Sequence, residues 1–407
     1  MSEKTRLTRT EISWILYDVA NSAFIMLVST TIPIYFANLV EEAGMETTTA
    51  SGLWGLVTAA AVLILAVLSP ILGAVADYKG MKKKLFVGFL TMGLLGAVGL
   101  AFAADWLWFL LIFVAARLGY SACNVFYDSM LTDVTTDERM DMISSHGYAW
   151  GYIGSCVPFI IGIVVLFLTR MSAAGFQISF LITAAWWLLM SVPLLKNVHQ
   201  THYLPGRPES AGKIFRQVGA TFQKIRKDRR LFCYILGYFC YIDGVYTIIS
   251  MATSYGNELG IDTVQMILAL LLTQFVAFPC AILSGVLSKK YGPLRLIKAF
   301  ILAYIAICLF GYQLDQVWEF WVLAVAVGMC QGGIQALSRS YYGKLIPKEE
   351  SNEYFGFFDI FGKFADFMGP LIISFCALVL GSSTYGILAL VVLFAAGYLL
   401  VRRAAAD

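Results

Sequence analysis

Charge is what this 407-residue sequence has least of: Asp, Glu, Lys and Arg together make up 14%, where a soluble domain carries about 25%. With 59% hydrophobic residues and a mean hydropathy of +0.75, a soluble chain is excluded and a polytopic membrane protein is expected. Histidine is scarce too. His146, His199 and His202 fall at or beyond the ends of apolar runs, so none is assigned catalysis. Cys123, Cys156, Cys233, Cys240, Cys280, Cys308, Cys330 and Cys376 lie inside those runs, without a CxxC or Cys/His ligand spacing. They read as reduced packing residues, not disulfides or metal ligands. No phosphate loop and no nucleophile–base pattern stands out. An enzyme, a cofactor, a metal and a nucleic-acid partner are therefore not expected. The amino terminus, MSEKTRLTRTE, is too charged for a cleavable signal and is expected to stay on the mature chain.

What fills the chain is hydrophobic runs. A spanning helix needs roughly 20 mostly apolar residues, and twelve such segments are read near 12–40, 52–76, 84–104, 106–132, 146–169, 176–195, 231–256, 264–287, 296–314, 317–345, 354–380 and 383–401. An all-α integral membrane fold follows. Lys and Arg collect in alternate loops: Lys4, Arg6, Arg9, Lys79, Lys82–Lys84, the 207–230 cluster, Lys289, Lys290, Arg402 and Arg403. The opposite loops hold Glu41, Glu42, Glu46, Asp105, Asp262 and Asp315, with Arg170 as the main cation. The positive-inside rule then puts both termini in the cytoplasm.

The longest polar break, residues 196–230, has nine Lys/Arg against Glu209 and Asp228. It separates a six-helix bundle at 1–195 from another at 231–407. Pro205 and Pro208 prevent one continuous helix. From Lys213, however, Ile214, Val218, Phe222 and Ile225 recur at helical spacing, which allows a membrane-surface helix or a plain basic linker. The two halves repeat. Gly73, Asp77 and Gly80 reappear 212 residues on as Gly285, Lys289 and Gly292, and the same shift maps Asp137-Glu138 onto Glu349-Glu350 and Pro158 onto Pro370. Parallel six-helix repeats are a transporter signature, with substrate bound between them near midplane.

The first repeat unit, GAVADYKGMKKK, has glycines for a tight turn, an Asp77 able to face the positive end of a helix or an arginine, and Lys82–Lys84 at the headgroup boundary. Its GxxxDxxGxKK pattern resembles the loop between helices two and three of the major facilitator superfamily. There it behaves as a latch between conformations, which implies a latch of Gly73, Asp77, Gly80, Lys82 and Lys83. Met81 stands where that family is usually basic, and Lys289 replaces the acid in the second copy, so the latch is better supported in the first half.

Polar residues inside the spans form stripes at helical spacing. Asp18 is followed by Asn21, Ser22 and Ser29; Asp243 by Tyr246, Thr247, Ser250 and Ser254. Segment four adds Arg117, Ser121, Asn124 and Asp128, and segment ten adds Gln331, Gln335 and Arg339. Ionisable groups within spans face a protein interior or a wet cavity. Acids and arginines together suit a small zwitterion, arginine gripping a carboxylate and aspartate an ammonium. Asp18 and Asp243 could instead carry protons, or pair structurally with Arg117 and Arg339. Lys363, with Asp359 four before and Asp366 three after, reads as self-neutralising. The stripe Gly147, Gly151, Gly154 and Gly162 reads as close helix packing. Trp14, Trp106, Trp108, Trp318 and Trp321 read as interfacial anchors.

YDVANSAF, YIDGVYTIIS, GYAWGYIG and QGGIQALSRSYYGKLIP, in that order along nearly the whole chain, resemble the vacuole-effluxer-like branch of the major facilitator superfamily. The resemblance implies two pseudo-symmetric six-helix bundles and alternating access, and it suggests amino acids as substrates. The expectation is a secondary active transporter of a small polar metabolite, an amino acid foremost, with proton coupling an option. A drug or amphiphile exporter is the alternative within transport; a non-transporting sensor or scaffold is the alternative outside it. A monomer in the lipid bilayer of a bacterial plasma (inner) membrane is expected.

Overall fold

The computed structural model describes residues 6–258, 260–314, 316–380 and 384–405. Lys4 and Asp315, counted above for orientation, lie outside them, as do the side chains of Ser254 and Asp366. Among the described residues every regular element is a helix and there is no strand; one isolated bridge joins Tyr78 to Leu204.

The helices are α1 (Arg9–Ser29), α2 (Thr31–Glu42), α3 (Thr47–Ala76), α4 (Met81–Leu100), α5 (Trp106–Val134), α6 (Asp137–Leu168), α7 (Ala173–Asn197), α8 (Ala211–Lys227), α9 (Arg229–Glu258), α10 (Thr263–Tyr291), α11 (Pro293–Tyr312), α12 (Val317–Leu345), α13 (Ser351–Leu380) and α14 (Thr384–Ala404). Among the described residues eleven spans are long and apolar enough to cross a membrane, α1 and α2 counting as one. With α13, thirty residues long, they match the twelve expected segments.

Differences from the hydropathy reading have local causes. The first segment breaks at Thr30 because Pro33 has no N–H to give the Ser29 carbonyl four residues back; the Thr30 hydroxyl donates instead to the Met26 carbonyl at 2.6 Å. Helix α6 starts nine residues before its apolar run, since DERMDMISS is polar but still helix-compatible. Trp14 is not an interfacial anchor. It is fully buried, stacks on Tyr127 at 4.5 Å, and donates its indole N–H to the Tyr127 carbonyl at 2.9 Å. Trp108 and Trp318 are well exposed at helix starts, as anchors should be.

The chain divides into two compact units. The first comprises Met1–Thr135, Trp150–Glu209 and Lys348–Phe355; the second comprises Thr136–Ala149, Ser210–Pro347 and Gly356–Asp407. Each unit therefore contains a short piece from the opposite half of the sequence. Inside the first, α1 packs on α7 and α4 on α5, around rings that include Phe24 on Trp187 at 5.1 Å. Inside the second, α10 packs on α12 and α9 on α14, and Tyr238 and Tyr342 stack on Phe358 at 3.9 and 4.6 Å. Lipid tails are as apolar as Leu, so such contacts hold the bundles mainly by close packing, each ring pair adding about 0.5–1.5 kcal/mol beyond its area.

Candidate functional site

The latch loop lies in the first unit, between α3 and α4. Gly80 turns the chain with φ of 72°, a left-handed conformation that glycine adopts without strain. Gly73 meets the start of α13 so closely that a Cβ there would lie within 2.8 Å of Glu353 Cα. That approach delivers the first N–H groups of α13 to Asp77. Its Oδ1 accepts from Asn352 N and Nδ2, both at 2.8 Å, and Oδ2 accepts from Glu353 N at 3.0 Å. A carboxylate from another part of the chain thus caps α13, satisfying orphan donors and opposing the positive end of its dipole. Burial pushes the Asp77 carboxyl up to about 7, against the opposite pull of Asn352, Lys82 and Glu353.

Lys82 is buried and donates to Asp133 Oδ2 at 2.6 Å and to Ser351 Oγ at 3.4 Å. Lys83 instead donates to the Val198 carbonyl at 3.0 Å. Composition did not flag Asp133, Ser351, Asn352 or the seven-residue strap 198–204 that follows α7. The strap gives Asp133 Oδ1 three donors: Thr201 N, Thr201 Oγ1 and His202 N, at 2.9 to 3.0 Å. Gln200 bridges the turn, donating to Ala76 O at 3.0 Å and accepting from Gly80 N at 2.9 Å. Leu204 N donates to Asp77 O at 2.8 Å. The His202 ring nitrogen lies 3.4 Å from Asp133 Oδ1, and this contact raises its pKa above the ordinary histidine value.

The second copy has the same close approach but different charges. Gly285 packs against Ser145 and Met142, while Lys289 reaches only the Met142 sulfur at 3.9 Å. Here the acid sits on the incoming segment: Asp141 Oδ1 accepts from Ser340 Oγ at 2.7 Å and Lys344 Nζ at 2.6 Å. Arg339, buried, donates to Ser144 Oγ at 3.0 Å and Ser144 O at 3.2 Å and lies over the Tyr148 ring at 4.4 Å. These contacts tie Arg339 of α12 to the first turns of α6.

The acids that begin the polar stripes are buried, whereas Ser29 and Ser250 further along them are exposed. In the first unit Asp18 Oδ2 accepts from the Tyr127 hydroxyl at 2.9 Å, and Asn21 Nδ2 donates to Asn124 Oδ1 at 3.0 Å. Arg117 lies over the Tyr120 ring at 5.5 Å. Its Nε and Nη1 are buried without a hydrogen-bond partner among the described residues. In the second unit Asp243 is buried and is approached by Gly369 of α13, where a Cβ would lie 2.7 Å from its Oδ1. Gly151 of α6 likewise approaches Asp18. Each acid thus faces a glycine on the fifth long helix of its half. Tyr246 is half-buried, and Gln331 and Gln335 are buried. Gln331 and Thr247 line a cavity of about 130 Å³ with Gln274 and many apolar side chains, among them Leu270, Phe320 and Ile373. Lys363 pairs with Asp359.

This architecture is that of a major facilitator superfamily transporter. The chain superposes on the human organic anion transporter MFSD10 (TETRAN) with a TM-score of 0.76, covering 98% of this chain and all of that one at 14% identity. It superposes on FucP in the outward conformation with a TM-score of 0.71, covering 97% of both chains at 16% identity. At such identities the likeness speaks for the fold alone. A family model described as vacuole effluxer Atg22-like matches residues 8–406, and the chain belongs to that family. The uncharacterized MFS-type transporter YxiO of Bacillus subtilis (strain 168) is 42% identical over 405 residues, 97% of this chain and 95% of YxiO. Autophagy-related protein 22 of Yarrowia lipolytica is 24% identical over 274 residues, spanning 59% of this chain but only 46% of the fungal protein. The chain is accordingly a membrane transporter and not an enzyme.

Proposed function

We propose that the protein is a secondary active transporter that moves an amino acid by alternating access, in a bacterial plasma membrane with both termini cytoplasmic. The buried pair of acids at equivalent places, Asp18 on α1 and Asp243 on α9, carries this reading. Membrane interiors tolerate such groups where they serve transport. Arg117, with buried Nε and Nη1 lacking a hydrogen-bond partner among the described residues, is the group to receive a substrate carboxylate, with Asp18 of the same unit for the ammonium and Asn21 and Asn124 for neutral hydrogen bonds. Asp243, with Tyr246, Gln331 and Gln335, is the corresponding set of the second unit. Membership of an effluxer-like family supports export as the direction, and the resemblance noted above supports amino acids as the class. The loop of Gly73, Asp77, Gly80, Lys82 and Lys83 is the conformational latch, engaged when Asp77 caps α13 and released when α13 leaves it. No resident cofactor is required.

The test is flux in liposomes holding the purified protein, using a panel of labelled amino acids with and without an imposed pH gradient. Loss of flux in R117K, D18N and D243N, with folding retained, is expected. Absence of flux for every amino acid would remove the substrate class, and gradient-independent flux would remove proton coupling. The largely apolar lining of the cavity beside Gln331 favours one second reading, export of an amphiphile. Flux of lipophilic cations in place of amino acids would select it.

A further inference from the structure

Helix α8 has more surface chemistry than a linker needs. Its inner face is already used: Ile214, Thr221 and Ile225, on one helical stripe, are buried. About 90° round the axis, at 100° per residue, Phe215 and Phe222 form a ledge. They are 60% and 44% exposed, although Phe222 touches Phe357 at 6.0 Å. Beyond the ledge the surface is cationic. The seventeen residues of α8 include Lys213, Arg216, Lys224, Arg226 and Lys227 and no acid, and Arg216, Arg226 and Lys227 are exposed.

The position of this face is fixed by the joint that follows. Asp228 alone separates α8 from α9, which spans the membrane from Arg229. Its N–H donates to Lys224 O at 3.0 Å, while its Oδ1 accepts from Leu231 N at 2.9 Å, so it closes one helix and caps the next. The last turn of α8 is thereby held where α9 enters the lipid. A helix with an aromatic ledge flanked by cations, held at that depth, has the makeup of an interfacial helix.

We propose that α8 is a docking surface for the anionic leaflet that α9 enters, with Phe215 and Phe222 seated below the headgroups and Arg216, Arg226 and Lys227 against the lipid phosphates. The charge complementarity commits the face to anionic lipid rather than to a protein partner, because a basic segment beside a membrane is drawn to its negative surface. The assignment does not depend on what the protein transports.

The test is hydrogen–deuterium exchange of 211–227 in the full chain, in nanodiscs of phosphatidylcholine with or without phosphatidylglycerol. Exchange about tenfold slower or more in the anionic discs is expected, with the difference abolished in R216Q/R226Q/K227Q and the protection lost in both lipids in F215S/F222S. Equal exchange in both lipids, or a difference that survives the triple substitution, would overturn the proposal. So would equal protection from inorganic phosphate added to neutral discs, which would make the face a soluble-anion site. The triple substitution touches only exposed side chains, so it decides the matter even if the aromatic variant fails to fold.

Discussion

Asp77 and Asn352 stand 275 residues apart in sequence, yet one carboxylate oxygen of the first accepts both the backbone N–H and the side-chain amide of the second at 2.8 Å. A buried donor left without its acceptor costs about 1–3 kcal/mol. Asp77→Asn keeps the shape but turns an amide N–H towards the Glu353 N–H, which loses its acceptor. It is expected to cost about 2–3 kcal/mol, read as a lower thermal midpoint in detergent. An unchanged midpoint would remove Asp77 as the cap of α13.

The two glycines of the turn fail differently. Gly73→Ala drives a methyl into backbone that cannot yield easily, and a loss of about 1–3 kcal/mol is expected. Gly80→Ala meets no atom within 4 Å and costs only the left-handed conformation, about 1–2 kcal/mol. If Gly80→Ala destabilised far more than Gly73→Ala in parallel melts, the close approach would not be what demands Gly73.

Lys82 and Asp133 are both buried in their side chains, at 1% and 0% exposure. Breaking such a pair from one side leaves an uncompensated charge and costs about 3–5 kcal/mol. K82M and D133N should each be that harmful, and the double variant less harmful than their sum. Strict additivity in the cycle would show that the two do not interact.

Two groups give the first unit a pH dependence of known sign. Asp77, raised by burial to about 7, favours the capped state fully below the ordinary carboxylate value and progressively less as pH rises to about 7. His202, raised first by its bond to Asp133, contributes fully below its ordinary value near 6.5 and loses that contribution as pH climbs through the raised one. Each of these two groups makes stability fall with rising pH across its window, while Asp133, held despite its burial below the ordinary carboxylate range by Lys82, acts in the opposite sense at the acid end. D77N should flatten the lower window and H202N the upper, as followed by melting at stepped pH. A slope unchanged in both variants would assign it to other groups.

Tyr127→Phe removes the hydroxyl that Asp18 accepts from at 2.9 Å while keeping the ring that stacks on Trp14. A flux reduction with little change in melting is expected if Asp18 is poised for transport. Normal flux in a folded Y127F would show that the bond does not set the working state of Asp18.

Hydropathy made the helices legible, because a span must be apolar along nearly its whole length. The ends were less so: the polar start of α6 is helix-compatible but not apolar, and its Asp141 is met by Ser340 and Lys344, partners far away in sequence. Asp18 and Asp243 were visible because a carboxylate is conspicuous in an apolar run. The partners of the latch were not. Asn352, Ser351 and Asp133 stand in ordinary polar turns, and Gln200–Leu204 looks like any linker until its donors are seen to converge on Asp133 and the 76–80 turn. Trp14 was misread because a tryptophan near a helix end has the same local sequence whether it faces lipid or a buried carbonyl.

The placement of 348–355 in the first unit and 136–149 in the second bears on how this chain can be inherited or rebuilt. A chimera joining residues 1–209 of this protein to the remainder of a distant relative would import a foreign start of α13 and leave Asp77 without its own donors. Recombination between such genes should therefore succeed only where the two short segments travel with the half they pack against, or match it already. The halves repeat in sequence, yet neither is a self-sufficient cassette.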